Sequence, residues 1–78
     1  MHMFYAQTYT VVSGHMHRQV LTVINANQIT HLMAAVDWDP EEMPAGVIRI
    51  GLSDGTGHFV KGTLEDVAEK IARRENLL

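Results

Sequence analysis

The chain of 78 residues has no cysteine, few aromatic residues and few cations. Without cysteine no disulfide can stabilise the fold, and a reducing cytoplasm is the simplest location to expect. Aromatic residues make up 6% of the chain, and Trp38 is its single tryptophan. Six Lys and Arg residues stand against nine Asp and Glu residues, which gives a formal charge of -3. This balance argues against non-specific nucleic-acid binding, which depends on cations that neutralise phosphates.

Long apolar runs are also absent. Arg18, Asp37 and Arg49 interrupt the apolar pattern, and no run approaches the length of a membrane span or of a signal-peptide core. We therefore expect no membrane contact. The hydrophobic content is nevertheless 46%. Because so small a domain buries only a thin core, we expect a second copy of the chain to cover some of this apolar surface.

Five stretches have the composition or alternation of β-strands. Residues 3–12 are rich in aromatic and β-branched types. Residues 17–25 are apolar at both odd and even positions, and such a strand is usually central in its sheet or covered by a helix or a subunit. Residues 29–36 show helical spacing but are short for a helix, so a strand is favoured and a helix stays open. Residues 47–53 alternate regularly, and the Asp-Gly turn that follows them favours a hairpin with residues 58–62.

A C-terminal helix is indicated over residues 63–76. Thr63 is a candidate N-cap residue, and Asp66 three residues later completes a near-match to a capping box. One apolar stripe recurs at helical spacing and comprises Leu64, Val67, Ala68 and Ile71. Two ion pairs four residues apart are expected on the helix surface, Asp66 with Lys70 and Glu69 with Arg73.

Together these elements predict a single α+β domain over residues 1–78. About five strands precede one helix, and the short connections favour a mostly antiparallel meander. The strands are expected to form either a small sheet or a partly open barrel, against which the helix buries its apolar stripe.

Residues 20–72 resemble the small FlbD-like flagellar and swarming-motility proteins and, more weakly, DNA-binding domains of the LytTR type. The similarity lies in "LTVINANQITHL" and in "VIRIGLSDGTGHFVKGTLEDVAEKI". The matching positions are Asn25, Ile29, Ile48, Ile50, Leu52, Gly55, Val60, Val67 and Ile71. The FlbD-like family has no established catalytic residues. The resemblance therefore implies a β-rich regulatory module, of bacterial or phage origin, that acts through protein contacts.

Two parts of the chain depart from that family. Residues 1–15 have no counterpart in it, and the loop over residues 37–46 is longer than its usual tight connection. This loop contains the sequence "VDWDPEEMP", in which Trp38 lies between two aspartates. An aromatic residue among polar ones is typical of an interface hot spot, and the acidic residues suit a basic protein partner. The predicted contact residues are Asp37, Trp38, Asp39, Glu41, Glu42 and Met43. Whether Trp38 is exposed as an anchor or buried against the sheet stays open.

Templates for metal binding and catalysis are incomplete. His15 and His17 have the spacing of two ligands on one face of a strand, but a structural or catalytic zinc site needs at least three protein ligands. We predict no metal site, although binding of a metal by this pair, or a pH-sensitive contact, stays open. The acidic loop lacks the central Gly and closing Glu of a calcium loop. Residues 54–57 precede a strand, whereas a phosphate-binding loop precedes a helix.

The sequence therefore predicts a protein without enzymatic activity, cofactor or small-molecule substrate, since no nucleophile motif is visible and a ligand pocket needs more room. The leading hypothesis is an interaction or regulatory module that forms a homodimer or higher oligomer and binds another protein, as yet unknown. One alternative is a nucleic-acid-associated regulator, for which Arg49 and Lys61 on adjacent predicted strands would form a small basic patch. Another is a phage-encoded inhibitor that binds a host factor through the acidic loop.

Overall fold

A computed structural model describes residues 3–12, 15–34 and 46–78. These residues form one antiparallel sheet and one C-terminal helix, in agreement with the predicted α+β class. In chain order the elements are β1 (Met3–Val12), β2 (His15–Asn25), a 3-10 turn (Ala26–Gln28), β3 (Ile29–Ala34), β4 (Val47–Leu52), β5 (Gly57–Lys61) and α1 (Leu64–Ala72). The strand order is β2-β1-β5-β4-β3, so that β2 and β3 are the edges of the described sheet.

The hydrophobic core lies between α1 and one face of the sheet, called the inner face below. Successive side chains of a strand point to opposite faces, so each strand supplies alternate residues to the core. The buried cluster consists of Phe4, Ala6, Ile24, Ile48, Ile50, Val60, Val67 and Leu77. The residues between these core positions, such as Tyr5 on β1 and Val23 on β2, lie on the opposite face, called the outer face below.

The sheet has two parts of unequal length. The β1–β2 hairpin is built from strands of 10 and 11 residues, whereas β3, β4 and β5 have 6, 6 and 5 residues. The two parts meet at one antiparallel pair, Tyr9 with Phe59. At ~3.3 Å per residue the hairpin is ~33 Å long, against at most ~20 Å for the other strands. The hairpin therefore extends beyond the part of the sheet that the helix covers.

Residues 17–25 were predicted to form a central or covered strand, and the central position is wrong. β2 begins earlier, at His15, and is an edge strand, with Val20, Leu21 and Val23 exposed. Strand pairing is decided by distant parts of the chain, because β5 occupies the other side of β1. The sequence indicated that a helix or a subunit would cover this strand. Among the described residues α1 packs on the inner face only, so cover of the outer face by a second subunit stays a prediction.

The helix is shorter than the predicted range of 63–76, because a C-terminal cap ends it after Ala72. The N–H of Arg74 donates to the carbonyl of Ile71 (3.1 Å), and that of Glu75 donates to the carbonyl of Lys70 (2.8 Å). This bond pattern is a Schellman motif, in which the residue after the cap is left-handed, and Arg74 has φ 62. The chain turns back at Arg74 and ends beside β1.

The segment after the helix adds a short sixth piece to the sheet. Leu77 forms a parallel bridge with Ala6, where its N–H donates to the carbonyl of Tyr5 (2.8 Å) and its carbonyl accepts from the N–H of Gln7 (2.7 Å). The amide oxygen of Asn76 accepts from the N–H of Tyr5 (2.9 Å). These bonds place the Leu77 side chain in the core.

Other features of the helix agree only in part with the sequence-based expectation. The hydroxyl of Thr63 accepts from the N–H of Asp66 (3.2 Å), which confirms the N-cap. Glu69 and Arg73 form an ion pair (2.6 Å), whereas Asp66 and Lys70 form none with each other. Both partners of the missing pair are exposed, and solvent leaves such a pair little net attraction.

The apolar stripe of the helix is narrower than expected. Val67 is buried and Ile71 is half-buried, but Leu64 and Ala68 are exposed. Leu64 is the first residue of the helix and Ala68 lies one turn further along, so this edge of the stripe turns away from the sheet.

In the middle of the chain, Ile29–Ala34 forms the favoured strand instead of a helix.

Candidate functional site

The partner-binding segment predicted from the sequence lies outside the residues that the structure describes. Its six residues are Asp37, Trp38, Asp39, Glu41, Glu42 and Met43. Their contacts, and the exposure of Trp38, therefore stay predictions. The candidate site that the structure adds lies on the β1–β2 hairpin.

Four large apolar side chains are exposed together on the outer face of the hairpin. The exposed fractions are 54% for Met3, 50% for Tyr5, 57% for Leu21 and 52% for Val23. Tyr5 is directly opposite Val23, and Gln7 is opposite Leu21, so these side chains are close neighbours across the two strands. We call Met3, Tyr5, Leu21 and Val23 the apolar patch.

The apolar patch arises because both faces of the hairpin are apolar and α1 covers only one. The even-numbered Phe4, Ala6 and Ile24 enter the core, while the odd-numbered residues of the same strands point outward. Single exposed apolar side chains are normal on a protein surface, whereas a contiguous group of them is a candidate interaction surface. The patch is therefore the described surface with the clearest functional signal.

The edge of β2 beside the patch has backbone groups directed away from β1. Tyr5 and Gln7 use their own backbone groups to bind the segment of Leu77 on the far side of β1. Antiparallel pairs alternate between bonded and non-bonded types, so Val23 and Leu21, opposite Tyr5 and Gln7, belong to the non-bonded type. Their N–H and C=O groups consequently point outward at the edge of the sheet.

The first half of β2 has features that hinder pairing of an edge strand with another chain, and the second half lacks them. The pairing shifts between Gln7 and Tyr9, which is a bulge, and the hydroxyl of Thr8 donates to the carbonyl of Val20 there (3.2 Å). Arg18 beside the bulge donates to the side-chain carbonyl of Gln7 (3.0 Å). Bulges and charges hinder pairing with another chain. Residues 20–25 contain no charged residue and no proline.

The histidine pair lies at the distal end of the hairpin. His15 and His17 are exposed, opposite Val12 and Thr10, neither of which is a usual metal ligand. In the described ranges, no three His, Cys, Asp or Glu residues are grouped so that they could hold a metal ion. Whether the pair binds a metal stays open, and the absence of a metal site stays a prediction.

Arg49 and Lys61, the expected small basic patch, are diagonal neighbours on the outer face. Arg49 is opposite Phe59, and Lys61 is opposite Val47 one step along the ladder. The guanidinium of Arg49 lies over Gly57, where an added Cβ would come within 2.7 Å of it. Glycine at this position therefore lets the Arg49 side chain lie flat along the sheet.

Two clefts flank the Tyr9–Phe59 pair, where the two parts of the sheet diverge. One has a volume of about 130 Å³ and is lined by Lys61, Asp66 and Lys70 among others, and the other has about 240 Å³ beside Val11 and His58. Ligand pockets usually take ~300–1,000 Å³. Among the described residues, both clefts are smaller than that range.

The pKa of Asp54 is lowered, and its cause lies in the hairpin turn rather than in a cleft. The hydroxyl and the backbone N–H of Thr56 both donate to one carboxylate oxygen of Asp54, the N–H at 2.9 Å. These hydrogen bonds favour the charged form of an exposed carboxylate. The shift therefore reports on turn geometry and gives no indication of acid–base catalysis.

Comparison with known proteins identifies no relative of the chain, so a function has to be argued from the geometry described above. In the part of the chain that the structure describes, no helix is long and apolar enough to cross a membrane. The resemblance of residues 20–72 to FlbD-like and LytTR-type proteins stays a prediction based on the positions quoted for it. No family model, no curated protein and no solved structure matches the chain.

Proposed function

We propose that the chain is a small, non-enzymatic interaction module whose apolar patch packs against the same patch of a second copy. The observation that supports the proposal is the group of four neighbouring, half-exposed apolar side chains on the outer face of the hairpin. Interfaces between identical subunits are more apolar than ordinary protein surface. A patch without charged members suits a contact with itself around a two-fold axis.

The energetics of the patch favour a weak contact. Burying the exposed half of such side chains contributes roughly 1 kcal/mol each, or about 8 kcal/mol for the eight side chains of two patches. Association costs at least ~4 kcal/mol in lost translational and rotational freedom. The remainder of at most about 4 kcal/mol corresponds to a dissociation constant on the order of 1 mM. A stable assembly therefore needs contacts in addition to the patch.

Charge placed in the patch tests the proposal, and the same strand offers a matched control. Tyr5 and Val12 both lie on β1 and are 50% and 55% exposed, but they point to opposite faces of the sheet. We expect Tyr5→Lys to lower the assembly mass measured by size exclusion with light scattering, because the contact would bury its ammonium group. Val12→Lys is expected to leave the mass unchanged.

Equal masses for wild type, Tyr5→Lys and Val12→Lys would show that the patch is not the contact. Both substitutions add a lysine at a half-exposed position of one strand, so an effect on solubility alone would appear in both variants. Far-UV circular dichroism of the two variants checks that each remains folded.

The regulatory role, the cytoplasmic location and the further protein partner belong to the same proposal. The absence of cysteine favours the cytoplasm, and the four acidic residues in the range 37–42 favour a basic partner. Recovery of the same proteins by wild-type and Trp38→Ala baits would remove the acidic loop as the recognition element. Retardation of duplex DNA in a low-salt gel shift would instead favour the nucleic-acid alternative.

A further inference from the structure

We infer that the edge of β2 forms a second contact between copies, in which residues 21–25 pair antiparallel with the same residues of another chain. The inference rests on the proposed function for the identity of the partner, because it assumes that the chain associates with itself. It adds a different surface: backbone groups at the edge of the sheet, whereas the apolar patch uses side chains on its outer face.

The register follows from the direction of the backbone groups. Leu21 and Val23 direct their N–H and C=O groups outward, and Asn25, two residues further along, directs its N–H outward. In a two-fold antiparallel pair centred on Val23, each Val23 lies opposite its counterpart and each Leu21 lies opposite an Asn25. The carbonyl of Asn25 accepts within the 3-10 turn that follows, so this register forms about four backbone hydrogen bonds, two between the Val23 residues and one from each Asn25 N–H to a Leu21 carbonyl.

The local sequence favours this segment over the rest of the edge. Residues 20–25 are uncharged, so no like charges oppose one another across the two-fold axis. The bulge beside Thr8 and the charge of Arg18 limit regular pairing in the first half of β2. The other edge strand, β3, is shorter, has an irregularity between Ile29 and His31, and contacts α1.

The area of the apolar patch supports a second contact. The patch spans about five residues on each of two strands, or roughly 17 by 10 Å of sheet surface. A stable interface takes about 800 Å² from each partner, several times this area. A contact through the patch alone is therefore too small to hold a lasting dimer, and the adjacent edge of β2 is the nearest surface that can supply a second, separate contact.

The two contacts have different symmetry axes and can coexist. Pairing of β2 edges places a two-fold axis perpendicular to the sheet and leaves both patches exposed on the same face. Packing of patch against patch places a two-fold axis within the plane of the sheet. Two perpendicular two-fold axes generate an assembly of four chains. We therefore expect a tetramer in which each copy uses both its edge and its patch.

Backbone N-methylation at Val23 tests the edge, since it removes the outward N–H and keeps the side chain. The matched control is N-methylation at Met16, which is opposite Val11 on the same edge and also directs its N–H outward, but lies outside the paired segment. Chemical synthesis makes both full-length chains accessible. In sedimentation velocity, we expect the Val23 modification to lower the mass to that of the monomer, because the patch alone holds no lasting dimer, and the Met16 modification to leave the wild-type mass unchanged.

The outcomes separate the edge from the patch. An unchanged mass after modification of Val23, together with a lower mass for Tyr5→Lys, would overturn the edge pairing and leave the proposed function standing. A reduction by the Val23 modification but none by Tyr5→Lys would overturn the patch contact and support the edge. A wild-type monomer at high micromolar concentration would contradict both.

Amide hydrogen exchange of the unmodified chain provides an independent reading if a modified chain does not fold. We expect exchange at the Val23 amide to slow at least tenfold as the protein concentration rises, because pairing protects an N–H that otherwise faces water. The Met16 amide should show no such dependence. Equal concentration dependence at the two amides would overturn the assigned register.

Discussion

β2 and β4 have similar apolar sequences and opposite environments. The run "VLTVI" in β2 and the run "VIRI" in β4 would each suit a buried strand. Val23 in β2 is nevertheless 52% exposed, whereas Ile50 in β4 is 0% exposed. A run of apolar residues therefore predicts a strand but does not identify what covers it.

The difference follows from the position of each strand in the sheet. β4 lies between β3 and β5, and its inner face contacts the core that α1 completes. β2 has a neighbour on one side only, and its outer face carries half of the apolar patch. Cover for β4 comes from within the chain, whereas the described residues leave the outer face of β2 exposed.

The largest expected effect is at Ile50. We expect Ile50→Ala to lower the free energy of unfolding by roughly 2–5 kcal/mol, because it leaves a cavity in the core. At protein concentrations low enough to dissociate any assembly, Val23→Ala should change it by less than about 0.5 kcal/mol. Urea denaturation at two protein concentrations measures both. Similar losses for the two variants in the dissociated chain would contradict the contrast between β2 and β4.

The next effect concerns β1, whose two edges differ: one pairs with β2, and the other binds the segment of Leu77. Leu77 and Leu78 are adjacent leucines with exposed fractions of 7% and 76%. We expect Leu77→Ala to destabilise the fold by roughly 2–3 kcal/mol, through loss of a buried side chain. Leu78→Ala should have almost no effect. Equal thermal stability of the two variants would show that this segment does not complete the core.

A smaller effect, of opposite sign, is expected at Arg74. Its left-handed conformation (φ 62) is one that glycine adopts without steric strain. We expect Arg74→Gly to raise the free energy of unfolding by about 1 kcal/mol, and Arg74→Ala to give no such gain. Denaturation of the three chains side by side measures the difference. A destabilised glycine variant would contradict the turn that directs Leu77 toward β1.

The smallest effect is the pH dependence that Asp54 contributes. Because hydrogen bonds from Thr56 lower its pKa below the value of 3.8, its carboxylate stabilises the fold above the unfolded-state pKa. This contribution is lost as the pH falls through the lower, folded-state pKa. We expect Asp54→Asn and Thr56→Val to flatten the stability profile below about pH 4. Unchanged profiles would show that the turn does not favour the charged form.

Local features of the fold could be predicted from the sequence. The strand predicted over residues 47–53, the Asp-Gly turn and the Thr63 cap depend on neighbours along the chain, and the structure shows all three. The early end of the helix had no sequence signal, since Arg74 occupies a position where glycine is usual.

The candidate site could be predicted only in part, because it depends on contacts between distant elements. The edge position of β2 follows from the pairing of β1 with β5, which no local pattern in residues 17–25 reports. The available signal was an uncharged run, residues 20–25, that is apolar on both faces in a chain with few elements to cover it. For that strand the sequence indicated a central position or cover by a helix or a subunit, and the structure shows which of its side chains are exposed.

The most direct test of the central claim is a search for contacts between copies at the patch. In a mixed sample of isotope-labelled and unlabelled chains, we expect intermolecular nuclear Overhauser effects between the Tyr5 ring and the methyl groups of Leu21 or Val23. A patch that packs against itself brings these protons together across the two-fold axis. Intermolecular signals confined to residues elsewhere, or none at all at high micromolar concentration, would contradict self-association through the patch.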